Sequence, residues 1–244
     1  MNEVLRADWF DLADNKRDSH RVWLHSEFLP ALMATQGVTW VGHYDIIPHP
    51  DRPYIEGAPT RRETSDPDVP TGWQNVVLTA SLSTDVFLGP DNEVNALHSA
   101  NAAGLGAWCN HRLCVFIEEK RVNGPEERAM PYGVGPPPAM QIGSFNANTT
   151  QHNEMLARWY RAERFPRIAV SRGIIRGRKM LSVIGWAKHG VLWEGVELGA
   201  DDYSFETRFV EADRGEGWAG PHVLDYVTHA PGSPHAGRRA WPKT

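Results

Sequence analysis

The sequence contains little cysteine and no apolar stretch long enough to cross a membrane. Its only cysteines, Cys109 and Cys114, are spaced C-x4-C, which matches neither a C-x-x-C redox pair nor a complete zinc set. We therefore predict two reduced thiols packed in the interior. No apolar run reaches the roughly 18 residues of a membrane-spanning helix, and the first residues do not resemble a signal peptide. These absences predict a cytoplasmic protein with no membrane partner.

Positive charge is also scarce. Lys and Arg number 25 against 30 Asp and Glu, which gives a formal net charge of −5, and no local block of like charge compensates. A surface of this kind does not favour nucleic acid. We expect a small hydrophobic or aromatic molecule as the partner, and the sequence leaves open whether two chains form a homodimer.

Motifs for covalent and cofactor chemistry are missing too. The sequence has neither a G-x-S-x-G nucleophile elbow nor an H-E-x-x-H metal motif, and the Gly- and Pro-rich segment 123–140 contains no phosphate-binding loop. We therefore expect no organic cofactor and no catalytic metal. The eleven histidines keep a bound metal ion or haem as alternatives.

One segment of the sequence occurs twice. "WLHSEFLPALMATQG" (23–37) and "WYRAERFPRIAVSRG" (159–173) share the pattern W-x3-E-x2-P-x6-G at a separation of 136 residues. Apolar residues recur at helical spacing in both copies, which predicts two equivalent amphipathic helices. Pro30 and Pro166 lie inside these helices and predict a kink in each.

The same separation extends beyond the helices. Gly37 and Gly173 follow at the position of a helix C-terminal cap, and upstream the separation of 136 residues pairs Trp9 with Phe145 in two predicted first strands. A tandem duplication explains these matches.

Each copy continues as strand, helix, strand, strand, helix, strand. The predicted fold is therefore α+β: two ferredoxin-like β-α-β-β-α-β repeats packed sheet to sheet as an α+β barrel within one chain. We place the first repeat at 1–124, a linker at 125–139 and the second repeat with a C-terminal tail at 140–244. The long Pro-rich loop 48–73 is predicted to act as a lid or a subunit contact.

The repeated helix motif and the ending "GVLWEGVEL…HVLDYVTHAPGSPHAGRRAWP" resemble the EthD-like group of the dimeric α+β barrel superfamily. EthD-like helices place a His four residues after the Trp, where this chain has Glu27 and Glu163. The resemblance implies a pocket between sheet and helices, and chemistries that include cyclisation, isomerisation, elimination and cofactor-free oxygenation.

Candidate catalytic residues lie on two predicted strands. His43 and Asp45 are two residues apart, so their side chains share one sheet face, and a carboxylate beside an imidazole suits proton transfer. Asp225 and His229 form a similar pair on the final strand, and His25 on the first helix is a further candidate. The alternative is that these histidines are structural.

Aromatic residues are the candidates for substrate binding. Ten tryptophans are present, and indoles that fill a core can also form the wall of an apolar cavity. The candidates for contact with the substrate are Trp40, Tyr44, Trp23, Tyr226 and His189. Because the sequence does not fix which sheet face lines the pocket, His43 and Tyr44 are rival candidates.

These observations predict a cofactor-independent enzyme that transfers protons on an aromatic small molecule, as a lyase or an isomerase. In this hypothesis Asp45 orients His43 as the base, and His229 or His25 supplies the acid. A cofactor-independent monooxygenase of the same fold is one alternative. A ligand-binding protein without catalytic activity is the other.

Overall fold

The computed structural model describes residues 3–47, 62–89, 92–131, 133–198 and 226–243. The first half contains, in chain order, β1 (Val4–Leu12), α1 (Arg17–Trp23), α2 (Leu29–Met33), β2 (Val38–Ile46), β3 (Asn75–Ser81), α3 (Glu93–Ala100), α4 (Ala102–Leu105) and β4 (Trp108–Asn123). The second half contains β5 (Ala139–Ala147), α5 (Thr150–Trp159), α6 (Phe165–Ile168), β6 (Ile174–Ile184), β7 (His189–Gly195), β8 (Val227–His229) and β9 (His235–Trp241). The second helix predicted for the second half, 200–213, lies outside the described residues.

Eight of the strands close into an antiparallel barrel. The order around the ring is β1-β3-β2-β9-β5-β7-β6-β4, with β4 pairing back to β1. The two four-stranded halves join edge to edge through the pairs β4–β6 and β2–β9, and β8 pairs with β5 beside the ring. This architecture confirms the predicted α+β barrel within one chain. The proposed boundaries 1–124 and 140–244 stay a prediction.

The segment after β8 is part of the barrel. Its prolines predict a tail that lies on the barrel surface, with "HVLDYVTHA" as the fourth strand of the second half. Instead His235–Trp241 forms β9, which pairs with β2 on one side and β5 on the other. The sequence misleads here because its prolines precede and follow β9 without interrupting it.

The two repeated helices are interrupted at equivalent residues. A π-helical turn at Leu24–Phe28 separates α1 from α2, and a second one at Tyr160–Arg164 separates α5 from α6. Pro30 and Pro166 follow as the second residues of α2 and α6. A proline lacks the N–H for the preceding turn and its ring collides with the carbonyl four residues back, and the wider π turn accommodates both defects.

The barrel interior and the helix-facing side have separate cores. The interior core includes Trp9, Trp40 and Tyr44, whereas Phe145 packs on the helix-facing side. Pairing Trp9 with Phe145 was therefore wrong by one residue. The equivalent of Phe145, which lies opposite the first residue of β7, is Phe10, which lies opposite the first residue of β3. The connection from first strand to helix is one residue longer in the second half, and a shift of one residue exchanges the faces of a strand.

A buried network of charges fills one part of the barrel. Glu194 pairs with Arg176 at 2.9 Å and with Arg178 at 2.6 Å, and Arg178 also contacts Glu3 and Glu118. All five side chains are buried. Buried ions need close partners because each loses its hydration, so these residues depend on one another.

Candidate functional site

The helix-facing side of the first half carries a hydrogen-bonded chain of imidazoles. The Nε2 atom of His25 lies 2.8 Å from the Nδ1 atom of His43, and the Nε2 atom of His43 lies 3.1 Å from the Oδ1 atom of Asn75. His43 is in β2, Asn75 begins β3, and His25 is in the π turn after α1. We call His25, His43 and Asn75 the imidazole chain.

The hydrogen bonds fix the tautomers of both histidines. The Asn75 amide nitrogen donates to the Phe10 carbonyl at 3.4 Å, so its oxygen accepts from Nε2–H of His43. The Nδ1 atom of a neutral His43 is then an acceptor and receives Nε2–H of His25. This assignment leaves the Nδ1 lone pair of His25 as the free basic atom of the chain.

Burial keeps the two imidazoles neutral. His43 is fully buried, which lowers its pKa from 6.5 to about 3, and the nearby charge of His25 lowers it further. Burial and the positive charge of Arg21 also lower the pKa of His25, while Asp45 acts in the opposite direction. His25 is only partly buried and is uncharged at neutral pH, so it can accept a proton from a molecule at the surface.

Asp45 does not orient His43. Both of its carboxylate oxygens accept hydrogen bonds from Arg21, at 2.8 and 2.7 Å. Asp45 and His43 do share the helix-facing side of β2, as two residues of spacing predict. Arg21 on α1 reaches Asp45 at the more exposed end of the strand, and the neutral amide of Asn75 takes the position beside His43.

Two predicted binding residues of β2 lie on the opposite face. Trp40 and Tyr44 point into the barrel, where Nε1 of Trp40 donates to Glu3 at 3.1 Å and the Tyr44 hydroxyl donates to the Pro137 carbonyl at 3.0 Å. Their place in the barrel core removes them from any pocket that contains His43. The rivalry between His43 and Tyr44 is thus resolved as a matter of position: His43 is on the helix-facing side.

The predicted residues of the second half surround Phe145. Its ring centroid lies 5.7 Å from that of His189 and 5.5 Å from that of His229. Nε2 of His189 contacts Asn153 at 2.6 Å, and Tyr226 packs against the ring of His152. Asp225 lies outside the described residues. The described contacts bring His189 and His229 together, but not to the imidazole chain.

A second polar group on the first half was not predicted from the sequence. Asp8 on β1 accepts from Arg6 at 2.8 Å and lies 2.8 Å from Nε2 of His111 on β4. Although burial opposes ionisation, Arg6 and His111 hold the pKa of Asp8 well below its usual range. The signal was present in "VLRADWFDL", where Arg6 and Asp8 interrupt a strand whose two faces are otherwise mainly apolar.

Aromatic rings connect the two polar groups. Trp108 stacks on Phe10 at 4.0 Å, and Phe10 stacks on His43 at 6.1 Å. Trp108 also lies 5.2 Å from the ring of His111, and its Nε1 donates to His20 at 2.9 Å. The imidazole chain therefore borders an aromatic layer between the sheet and α1.

The remaining predicted binding residue, Trp23, lines a cleft on the other flank of α1. The cleft has a volume of about 420 Å³ and is also lined by His20 and by small residues between 102 and 107. Neither His25 nor His43 lines it. Among the ranges described by the structure, no three His, Cys, Asp or Glu side chains group as metal ligands. No helix within those ranges is long and apolar enough to span a membrane.

The fold is similar to that of several solved structures. A protein assigned as a monooxygenase from Fusobacterium nucleatum matches with a TM-score of 0.58 and 7% identity, over 98% of this chain and 92% of its own. A protein assigned as a chlorite dismutase matches with a TM-score of 0.57 and 11% identity, over 98% and 95%. An anthrone oxidase-like protein matches with a TM-score of 0.55 and 9% identity, over 98% and 91%.

Sequence comparisons add no relative: no family model matches the chain and no curated protein is significantly similar to it. The structural likeness covers nearly the whole chain, and at these identities it concerns the fold. The chain therefore has the dimeric α+β barrel fold, with both halves of the barrel in one polypeptide.

Proposed function

We propose that this protein is an enzyme that transfers protons on a hydrophobic, aromatic small molecule, with His25 as the base. The observation that carries the proposal is the contact of 2.8 Å between Nε2 of His25 and Nδ1 of His43. It fixes the ring of His25 and directs the basic Nδ1 atom away from the sheet. His43 and Asn75 are positioning residues, because they act through His25.

The proposed step needs no co-reactant. Nδ1 of His25 accepts a proton from a carbon or hydroxyl of the substrate, and the resulting imidazolium donates more strongly to the neutral His43. The adjacent Asp45 carboxylate, paired with Arg21, offsets part of the new charge. The same imidazolium then returns the proton to another atom of the substrate or to its leaving group, which corresponds to an isomerase or a lyase reaction.

A cofactor-independent monooxygenase is the second candidate. It is supported by the names of two structural neighbours, a monooxygenase and an anthrone oxidase-like protein. Such a reaction begins with the same proton removal, after which the substrate anion reacts with molecular oxygen. Oxygen consumption in the presence of substrate separates the two candidates.

We further infer that the two halves arose by tandem duplication, with boundaries at 1–124 and 140–244, from an EthD-like ancestor. The two π turns support this origin, since they begin at Leu24 and Tyr160, 136 residues apart. Both second strands also carry a β-bulge at equivalent residues, between Val38 and Trp40 and between Ile174 and Arg176.

Hydrogen exchange tests the proposed proton transfer directly. The protein is incubated in deuterated buffer with a panel of aromatic ketones, phenols and anthrones, and loss of substrate protons is followed by NMR. We expect catalysed exchange for at least one compound, and His25→Gln should slow it about 100-fold or more. His43→Gln should slow exchange less and change its pH profile.

His111→Gln is the matched control, because His111 is also a helix-facing histidine of the first half but belongs to the Asp8 group. Its exchange rate should match that of the unaltered protein. Exchange that survives His25→Gln but is lost in His111→Gln would transfer the role of base to the Asp8 group. Full exchange in both variants would refute the assignment.

A further inference from the structure

The cleft between α1 and α4 has the dimensions of a small-molecule site. Its volume of about 420 Å³ falls within the range of roughly 300 to 1,000 Å³ that is usual for ligand pockets. Lys16, Ser19, His20 and Trp23 line it from the α1 side, and small residues between 102 and 107 line it from the α4 side. None of these described lining residues carries a carboxylate.

His20 presents an unused donor to this cleft. Its residue is 6% exposed, and its Nε2 atom accepts a hydrogen bond from Nε1–H of Trp108 at 2.9 Å. Burial lowers the pKa of His20, so the ring is neutral and carries its proton on Nδ1. This N–H has no hydrogen-bond partner within the described part of the chain. A largely buried donor of this kind requires an acceptor.

Lys16 supplies positive charge at the mouth of the same cleft. It is exposed immediately before α1, and among the described residues its ammonium group has no ion-pair partner. With an N–H donor inside and a cation at the rim, the cleft is complementary to an acceptor that carries negative charge.

The walls of the cleft are flat and apolar. A Cβ atom on Gly104 would lie 2.5 Å from Cζ2 of Trp23, so the indole ring packs directly on the backbone at Gly104. Ala102, Ala103 and Ala107 add only methyl groups to the same wall. Indole and alanine surfaces of this kind suit a planar ring.

We infer that this cleft binds a planar aromatic carboxylate, with the ring against Trp23 and the carboxylate between His20 and Lys16. The inference does not rest on the proposed function, because His25 and Arg21 contact β2 from the opposite flank of α1. An occupant of the cleft contacts His20, which reaches His43 only through Trp108 and Phe10.

Calorimetric titration with a naphthalene carboxylate and with the matching neutral carboxamide tests the inference. We expect saturable binding of the carboxylate at one site per chain and at least about fivefold weaker binding of the carboxamide. Lys16→Ala should weaken the carboxylate by about the same factor and leave the carboxamide unchanged. Ala103→Phe should abolish both by filling the cleft from an exposed position.

Two control variants show whether binding depends on this cleft. Lys188→Ala removes an exposed lysine of the second half and should not alter the affinity for the carboxylate. His25→Gln should also leave this affinity unchanged, so failure of the proposed catalysis does not affect the result. NMR of the histidine rings should show the Nδ1–H signal of His20 shifting on titration. Equal affinity for both compounds, or binding that persists in Ala103→Phe, would overturn the inference.

Discussion

Lys179 occupies the position in the second half that His43 occupies in the first. Each lies three residues after its β-bulge and opposite a valine, Val77 for His43 and Val191 for Lys179. His43 joins the imidazole chain, whereas the ammonium group of Lys179 pairs with Glu119. The two halves thus share a backbone but not a chemistry, and within the described residues only the first half contains imidazoles hydrogen-bonded to each other.

Burial of His43 predicts that acid destabilises the protein. Its pKa is lowered from 6.5 to about 3, so between these values the unfolded chain binds a proton that the folded chain does not. The free energy of unfolding should therefore decrease as the pH decreases through this range, by up to about 1.4 kcal/mol per pH unit from this group. Urea unfolding should show a smaller pH slope for His43→Gln than for the unaltered protein. His152→Gln, on the partly exposed face of α5, should keep the original slope, and an unchanged slope in His43→Gln would contradict the prediction.

Glu194 should be essential for stability because it neutralises Arg176 and Arg178 inside the barrel. Glu194→Gln keeps the shape of the side chain but leaves two buried guanidinium groups short of negative charge. We expect a loss of about 3 to 5 kcal/mol in the free energy of unfolding, measured by chemical denaturation. The matched control is Arg17→Met, which removes an exposed pair with Asp14 and should cost about 1 kcal/mol or less. Similar losses in both variants would argue against a special role for burial.

Two glycines separate backbone strain from steric overlap. Gly37 has φ +84° and a Cβ there would lie 2.6 Å from Val86, whereas Gly89 has φ +99° and open space around it. Alanine at either position adopts a left-handed conformation that costs about 1 to 2 kcal/mol. Gly37→Ala should cost about 1 to 3 kcal/mol more than Gly89→Ala, because Val86 must move. Thermal unfolding of the two variants measures the difference, and equal losses would mean that Val86 yields without cost.

The two cysteines should differ in reactivity. Cys114 is buried, which raises its pKa to about 11, and its thiol donates to the Trp186 carbonyl at 2.9 Å. Cys109 is exposed. Because the thiolate is the nucleophile, maleimide at neutral pH should label Cys109 alone, as mass spectrometry of the folded protein and of Cys109→Ser will show. This corrects the expectation that both thiols are buried, and rapid double labelling would contradict it.

The backbone of this protein could largely be predicted from its sequence. The repeated motif located both helices and their interruptions, and strand periodicity located most of the strands. Failures occurred where the two faces of a strand had to be told apart. In a closed barrel covered by helices both faces are buried, so Trp40 and His43 appear equally suited to a core. Only the register distinguishes them.

The chemistry of the candidate site was harder to predict. Two-residue spacing correctly put His43 and Asp45 on one face, but it could not reveal that Arg21 takes the carboxylate. The contact between His25 and His43 depends on how a π turn rotates the helix over the sheet. Likewise the pairing of Asp8 with His111 joins residues from opposite ends of the first half, and no local pattern connects them.

The position of β9 has a consequence for how the chain folds. This strand lies between β2 and β5, so the ring is sealed by a segment that leaves the ribosome after the other seven strands of the barrel. Until His235–Trp241 arrives, β2 and β5 each expose one row of unpaired peptide groups, the kind of edge that recruits foreign strands. Synthesis of the barrel therefore ends with the step that removes both of these sites of aggregation.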